Sequence, residues 1–245
     1  SASEPHGGSD VRHMNTVLVE TQGEYLLRGS KWLATNAPIA DLIITFCQME
    51  ATHELVGVLL EADWSGIEKK TIHPVGLQSS PLGQFIFHDV RIPPTHILGK
   101  IGDGQQILNR AFTRERLLVP FCCVGSTERI LEEVFDYAFQ RKVGKGPIAD
   151  YQYIRKRLTD IAIDLETTRG IAHMGLEVYK RGEESTMYAS IGKYYAASRA
   201  VHSCVEAIQI MGSYGLLEKS VGEQLLSAVG VTIAGGTEEM HREEI

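Results

Sequence analysis

Glu115 stands between two arginines in the run Phe112-Thr113-Arg114-Glu115-Arg116. In a dry pocket a carboxylate can take a proton from carbon; on a surface the same run is a charge cluster. Gly7-Gly8-Ser9-Asp10 is a second place where chemistry could sit. Paired glycines let a backbone approach a ligand closely, and alone they also read as a plain turn. Arg141, just ahead of Gly144–Pro147, either grips an anionic group with its planar guanidinium or satisfies the dipole at a helix end. Cys47, Cys122, Cys123 and Cys204 include no CxxC pair and offer no metal site. They read as buried thiols in a reducing compartment.

These residues need elements to hold them. The 245-residue chain is 43% hydrophobic and 22% charged, ordinary for a globular protein of one or two domains. A net charge of -7 argues against a nucleic-acid surface, which needs clustered Lys and Arg. No apolar run approaches the roughly 20 residues that cross a bilayer. The sequence opens Ser1-Ala2-Ser3, without an initiator Met or a secretory signal, as a processed or trimmed chain does.

The first hundred residues read as β-structure. Thr16–Glu20 and Glu24–Gly29 flank the hairpin signal Thr21-Gln22-Gly23. Ala40–Met49 and Glu54–Glu61 are strand candidates, and Phe85, Phe87 and Val90 mark another that Pro93-Pro94 ends. Gly and Pro punctuate the stretch as in a sandwich or barrel. After Gly104 the period turns helical. One helix is expected from about Gln105 towards Val143. A second carries the stripe Ile154, Leu158, Ile161, Leu165, Ala172, Leu176 and Tyr179; a third carries Met187, Ile191, Tyr194, Val201, Val205 and Ile208, and Gly182 reverses the chain between them. The expected fold class is α+β in sequence segments: a β-sandwich or barrel domain over 1–104, then an antiparallel four-helix bundle over 105–245.

Collinear motifs carry a resemblance to a known family. Ser3-Glu4-Pro5-His6-Gly7-Gly8-Ser9-Asp10 resembles the Thr-Glu-Pro-x-x-Gly-Ser-Asp flavin signature of the acyl-CoA dehydrogenases. Gly29-Ser30-Lys31-Trp32-Leu33-Ala34-Thr35-Asn36 resembles their Gly-x-Lys-x-Trp-x-Thr-Asn turn. Phe85 to Gly104 resembles their passage into the bundle, and Arg141 to Gln152 their Arg-x-x-Phe-Gly-x-Pro-Ile…Gln. Gln209–Gly215 and Thr232–Glu239 are similar to their last two flavin-contacting segments. Each motif alone is weak, but their shared order is not.

The resemblance implies a flavoenzyme that binds FAD and oxidises an acyl thioester, acyl-CoA or carrier-bound, to the α,β-unsaturated product. In such relatives an N-terminal helical domain precedes the β-domain and walls the acyl pocket. This sequence begins inside the β-domain, so that wall is expected from residues outside it. Ser3, Trp32 and Thr35 are implied near the isoalloxazine and Ser9 toward the pyrophosphate. Relatives bind FAD across a dimer interface, which gives Arg141 to a neighbour's pyrophosphate and Gln152, Gln209 and Gly212 to the adenosine half. Thr237 and Glu239 return to the subunit's own flavin. Most relatives place the base just before the Gly-Thr of the last motif, where this sequence has Gly235. One branch, with isovaleryl-CoA and long-chain acyl-CoA dehydrogenases, places a Glu at the start of the bundle's first helix, before an Arg. Glu115 is then the base, and Arg116 stands beside the CoA of the substrate. A homodimer or homotetramer is implied, with an electron acceptor such as an electron-transfer flavoprotein and a cytoplasmic location, or the mitochondrial matrix in a eukaryote.

Several positions depart from the family pattern. Leu33 stands where the flavin-stacking Trp is usual, with Trp32 one position earlier; on a regular strand that shift turns the ring to the other face. Val143 replaces a Phe, Leu226-Ser227 replace an Arg-Asp pair, and the segment between Gly215 and Thr232 is shortened. These departures suit a divergent enzyme, or a non-catalytic or half-site subunit completing the site of a companion chain. Family members that hydroxylate or bind DNA keep the same fold, and the charge counts against DNA.

Overall fold

Gln22 (φ 46) and Gly23 (φ 88) form a two-residue turn between β1 (Val17–Thr21) and β2 (Glu24–Thr35). Two successive positive φ values define the type I′ turn, whose twist matches that of the strands it joins. The computed structural model describes residues 1–245. Packing divides them into two compact units, Ser1–Ala111 and Phe112–Ile245.

The first unit adds β3 (Leu42–Met49), β4 (Leu55–Glu61), β5 (Ile67–Ile72), β6 (Leu82–Ile92) and β7 (Ile97–Leu98). All seven strands form one sheet in the order β5-β6-β2-β1-β3-β4-β7. Pairing is antiparallel except β1 with β3, where Val17 faces Gln48. Leu60 on β4 and Phe87 on β6 share one buried cluster. Three strands lie between them, so a flat sheet would hold them about 19 Å apart. The sheet therefore curls around a single core, as a barrel-like domain does.

One strand expectation changes, and β5 was not expected at all. Gly29 does not end β2. It takes φ +130 at a bulge where an added Cβ would stand 2.6 Å from Thr16 Cα, so only glycine fits that close approach. β5 carries no apolar alternation because Glu68, Lys69 and Lys70 lie exposed on it; charges on an edge strand discourage further pairing.

Helical residues dominate the second unit. α1 (Gly104–Gln140) starts before the division between the units and leads into a small hairpin of β8 (Lys142–Val143) and β9 (Gly146–Pro147). α2 (Gln152–Lys180), α3 (Thr186–Met211), α4 (Val221–Ile233) and the short α5 (Glu238–Glu244) follow. The α2 stripe is as expected: Leu158, Ile161, Leu165 and Ala172 are buried. The α3 stripe is not. Met187 and Val205 are 42% and 41% exposed, and the buried face is instead Ala189, Ser190, Gly192, Lys193, Ala196, Ala197, Ala200 and Ala207. Close helix approach explains it, since a Cβ on Gly192 would already lie 3.4 Å from Pro120 Cγ of α1. Gly182 (φ +73) ends α2 with its N–H on the Tyr179 carbonyl, 3.0 Å away. No helix is long and apolar enough to cross a membrane.

Candidate active site

Glu115 and Arg116 are neighbours on α1, so their side chains leave the helix about 100° apart. Glu115 is exposed, whereas Arg116 is only 4% exposed. The turn between α4 and α5 lies against both. Gly235 takes φ +72, and a Cβ built on it would lie 3.2 Å from Glu115 Oε1. A side chain at 235 would therefore begin in tight contact with the Glu115 carboxylate.

Arg116, which the resemblance places beside the CoA, is held by acceptors within the chain. Its Nε donates to the Gly235 carbonyl at 2.9 Å and its Nη1 to Glu244 Oε2 at 2.6 Å. A buried guanidinium has to be spent on internal acceptors. Ser190 also donates to the Glu244 carboxylate. Burial works against ionising Glu244, yet these two bonds hold its carboxyl below the usual range.

From α3, Lys193 reaches the same turn. It is wholly buried and donates to the Thr232 carbonyl at 3.0 Å and the Gly236 carbonyl at 2.6 Å. Burial, reinforced by Arg116, pushes its ammonium down to about 8. His241 of α5 is also wholly buried, with no hydrogen-bond partner on either ring nitrogen. Burial, Lys193 and Arg116 push it down to about 4, so it is neutral at pH 7. Thr237 caps α5, its hydroxyl accepting from Met240 N at 3.5 Å. Glu239 is exposed, and its carboxyl lies below the usual range through the backbone N–H at the helix start and the Thr237 hydroxyl. Sequence reasoning missed Lys193, Ser190, His241 and Glu244. The available signal was a lysine on a helix face that, from 189 to 200, is otherwise Ala, Gly and Ser.

The remaining candidates form two separate groups. In the first unit, Trp32 N donates to the Ser3 carbonyl at 2.8 Å, joining the flavin signature to β2. Glu4 anchors that signature. Its carboxylate accepts from Asn15 N at 2.6 Å, Thr16 N at 3.0 Å and Lys31 Nζ at 2.7 Å. Burial opposes ionisation of Glu4, but Lys31 and the backbone donors outweigh it and hold its carboxyl below the usual range. Ser9 and Thr35 are exposed. A cavity of about 180 Å³ beside Glu4, Gly7 and Asp10 is too small for a flavin.

Trp32 and Leu33 sit at a bulge. Lys31 pairs with Phe85 and Ala34 with Gly83, so residues 32 and 33 together oppose Gln84 alone. The expected reversal of face does not follow. Lys31 and Ala34 both stay in the buried row, Trp32 is half-buried, and Leu33 (φ 53) is 50% exposed.

In the second unit, Arg141 follows α1 and lies over the Tyr214 ring, 5.7 Å from its centroid. No carboxylate pairs with this exposed guanidinium, which suits it to an anionic group. Gln209 and Gly212 are exposed in the turn ending α3, where the Met211 carbonyl accepts from Tyr137 at 3.3 Å. Gly212 (φ +59) has open space around it, so a ligand could approach its backbone. Gln152 is exposed at the start of α2.

Comparison with known proteins gives the family. Residues 1–90 match the model for the acyl-CoA dehydrogenase middle domain and residues 102–245 that for the acyl-CoA dehydrogenase C-terminal domain. An acyl-CoA dehydrogenase of Bacillus subtilis is 34% identical over 98% of this chain and 65% of its own. An L-prolyl-[peptidyl-carrier protein] dehydrogenase of Pseudomonas fluorescens is 28% identical over 99% of this chain and 66% of its own. The solved FAD complex of PigA superposes with a TM-score of 0.94 at 27% identity, covering 100% of this chain and 65% of that one. The chain thus spans 65% and 66% of the length of these two curated relatives. It belongs to the acyl-CoA dehydrogenase family and carries that family's middle and C-terminal domains.

Proposed function

We propose that this chain takes part in FAD-dependent oxidation of an acyl thioester to its α,β-unsaturated product, with Glu115 as the base. One observation carries the assignment of the base: a Cβ at Gly235 would lie 3.2 Å from Glu115 Oε1. Position 235 is where most relatives hold their carboxylate, so Glu115 delivers an equivalent group to the same place from α1. The α-proton of a thioester is weakly acidic, and its removal needs a positioned, poorly hydrated carboxylate. Glu115 is exposed in this chain, so a bound acyl group would shield it from water. FAD, when bound, supplies the acceptor for the hydride leaving the β carbon.

The candidates fit the cofactor. Ser3, Trp32 and Thr35 would lie near its isoalloxazine and Ser9 toward its pyrophosphate, while Arg141 would bind the pyrophosphate of the neighbouring subunit's FAD, with Gln152, Gln209 and Gly212 on the adenosine half; Arg141 is the unpaired cation a pyrophosphate needs. Thr237 and Glu239 complete the set. A homodimer or homotetramer, an acyl-CoA or carrier-bound substrate and an electron-transfer flavoprotein as acceptor belong to the same proposal. The relatives named for acyl-CoA and peptidyl-carrier dehydrogenation support either substrate type.

The test is Glu115→Gln, which keeps shape but cannot accept the proton. Reduction of bound flavin by substrate should fall about 10²–10⁴-fold while FAD stays bound. Glu115→Gly with Gly235→Glu should recover part of that loss, since removing the first side chain clears room for the second. Wild-type reduction by Glu115→Gln would show that the base lies elsewhere.

A further inference from the structure

Lys193 has no evident role in stability. It is an ammonium with 0% exposure whose hydrogen bonds go only to two backbone carbonyls. A buried charge without a paired carboxylate is a poor stabiliser, and an apolar side chain of similar volume would do at least as well. Its acceptors are informative. Thr232 and Gly236 bracket Gly235, and the carbonyl of Gly235 itself is held by Arg116. Gly235 (φ +72) and Gly236 (φ +114) form the least restrained backbone in this unit's site, because glycine loses the most freedom on ordering. With the Gly235 and Gly236 carbonyls tied to cations on two different helices, rotating either peptide unit would break a charge-assisted hydrogen bond. Without Lys193, Arg116 alone would hold that turn from the α1 side.

We propose that Lys193 is a positioning residue for the Glu115 site: by holding the Thr232 and Gly236 carbonyls it fixes the turn that backs the carboxylate. It does not bond Glu115 itself. The other charged and titratable groups facing it are Glu115, Arg116 and Cys123 from α1 and Glu238 and His241 from α5. Of these, His241 also lies against Gly236. The inference rests on the reading of Glu115 as the base.

The experiment compares FAD-loaded wild type, Lys193→Met and Glu115→Gln. Met matches the length of the buried stem and removes every donor. Lys193→Met should keep its FAD. Amide exchange should quicken at least tenfold over residues 232–241 and stay unchanged in the sheet. Flavin reduction at saturating acyl-CoA, tried across a chain-length panel, should fall about 10- to 100-fold with KM nearly constant. Should Lys193→Met not fold, Lys193→Gln, which keeps an amide donor, should show a smaller loss of the same kind. Lys193→Met with wild-type reduction and unchanged exchange, beside an inactive Glu115→Gln, overturns the role of Lys193 and leaves the base in place. Wild-type reduction by Glu115→Gln overturns the base and, with it, the catalytic consequence drawn for Lys193.

Discussion

His241 should make the helical unit sensitive to mild acid. It is wholly buried, and its neighbours Lys193 and Arg116 are both cations. An unfolded chain returns it to the ordinary value of 6.5, against about 4 when folded. Between those values the unfolded state binds the extra proton, so stability falls as pH drops through 6.5 and levels off below about 4. At about 1.4 kcal/mol per pKa unit the whole effect is about 3 kcal/mol, of which about 2 kcal/mol is lost between pH 7 and pH 5. Glu4 and Glu244, whose carboxyls are held below the ordinary value of 4.5, titrate below the pH 5 end of the comparison. The perturbation is His241→Leu, which removes the titrating ring and its two unpartnered nitrogens. Both tryptophans, Trp32 and Trp64, lie in the first unit, while the long helices fill the second. Urea unfolding followed by circular dichroism at pH 7 and pH 5 therefore reports the second unit, with tryptophan fluorescence as an internal control. Wild type should lose about 2 kcal/mol more than His241→Leu in the dichroism transition and no more in the fluorescence transition. Equal losses in the two proteins would refute the assignment.

Gly235→Ala should slow flavin reduction by at least tenfold, because the new methyl meets Glu115 Oε1 at 3.2 Å and a left-handed φ of +72 strains any Cβ; stopped-flow at 450 nm checks it. Glu4→Gln should cost the first unit about 3–5 kcal/mol by stranding the buried Lys31 ammonium, and Glu4→Gln with Lys31→Met should regain most of it, as tryptophan-monitored unfolding would show. Arg141→Ala should weaken FAD binding at least tenfold while shifting stability by no more than about 1 kcal/mol, since its contact within the chain is an exposed cation–π pair with Tyr214; equilibrium dialysis and a thermal melt separate the two effects.

What the sequence made legible follows from what residue types encode. Large apolar residues at strand and helix spacing revealed the core strands and the α2 stripe, because burial of such side chains is the dominant signal in a chain. β5 was hidden because an edge strand defends itself with charge, and Glu68-Lys69-Lys70 carries no alternation. The buried face of α3 was hidden for the opposite reason. Where helices pack closely the interface is Ala, Gly and Ser, and the larger Met187 and Val205 are left at the margin. The bulge at Trp32-Leu33 could not be read either, since it depends on the register against Gln84 rather than on either residue. Among the proposed site residues, Glu115 was suggested by its neighbours in sequence. Arg116 was legible as a cation but not as a buried one, because its acceptors at Gly235 and Glu244 lie more than a hundred positions away.

The same geometry bears on the reading in which this chain is a subunit that has lost its chemistry. Gly235 is the feature that suggested such a loss. Yet a carboxylate at 235 would have to begin with a Cβ pressed against Glu115, on a backbone at φ +72 that disfavours any side chain. With Glu115 in place, glycine at 235 relieves both conflicts. Arg116 and Lys193 then secure the turn through its carbonyls, which need no side chain at 235 at all. On the proposed reading Gly235 is the complement of Glu115, and the pair should vary together: a chain with a carboxylate at 235 should carry a small or uncharged residue at 115.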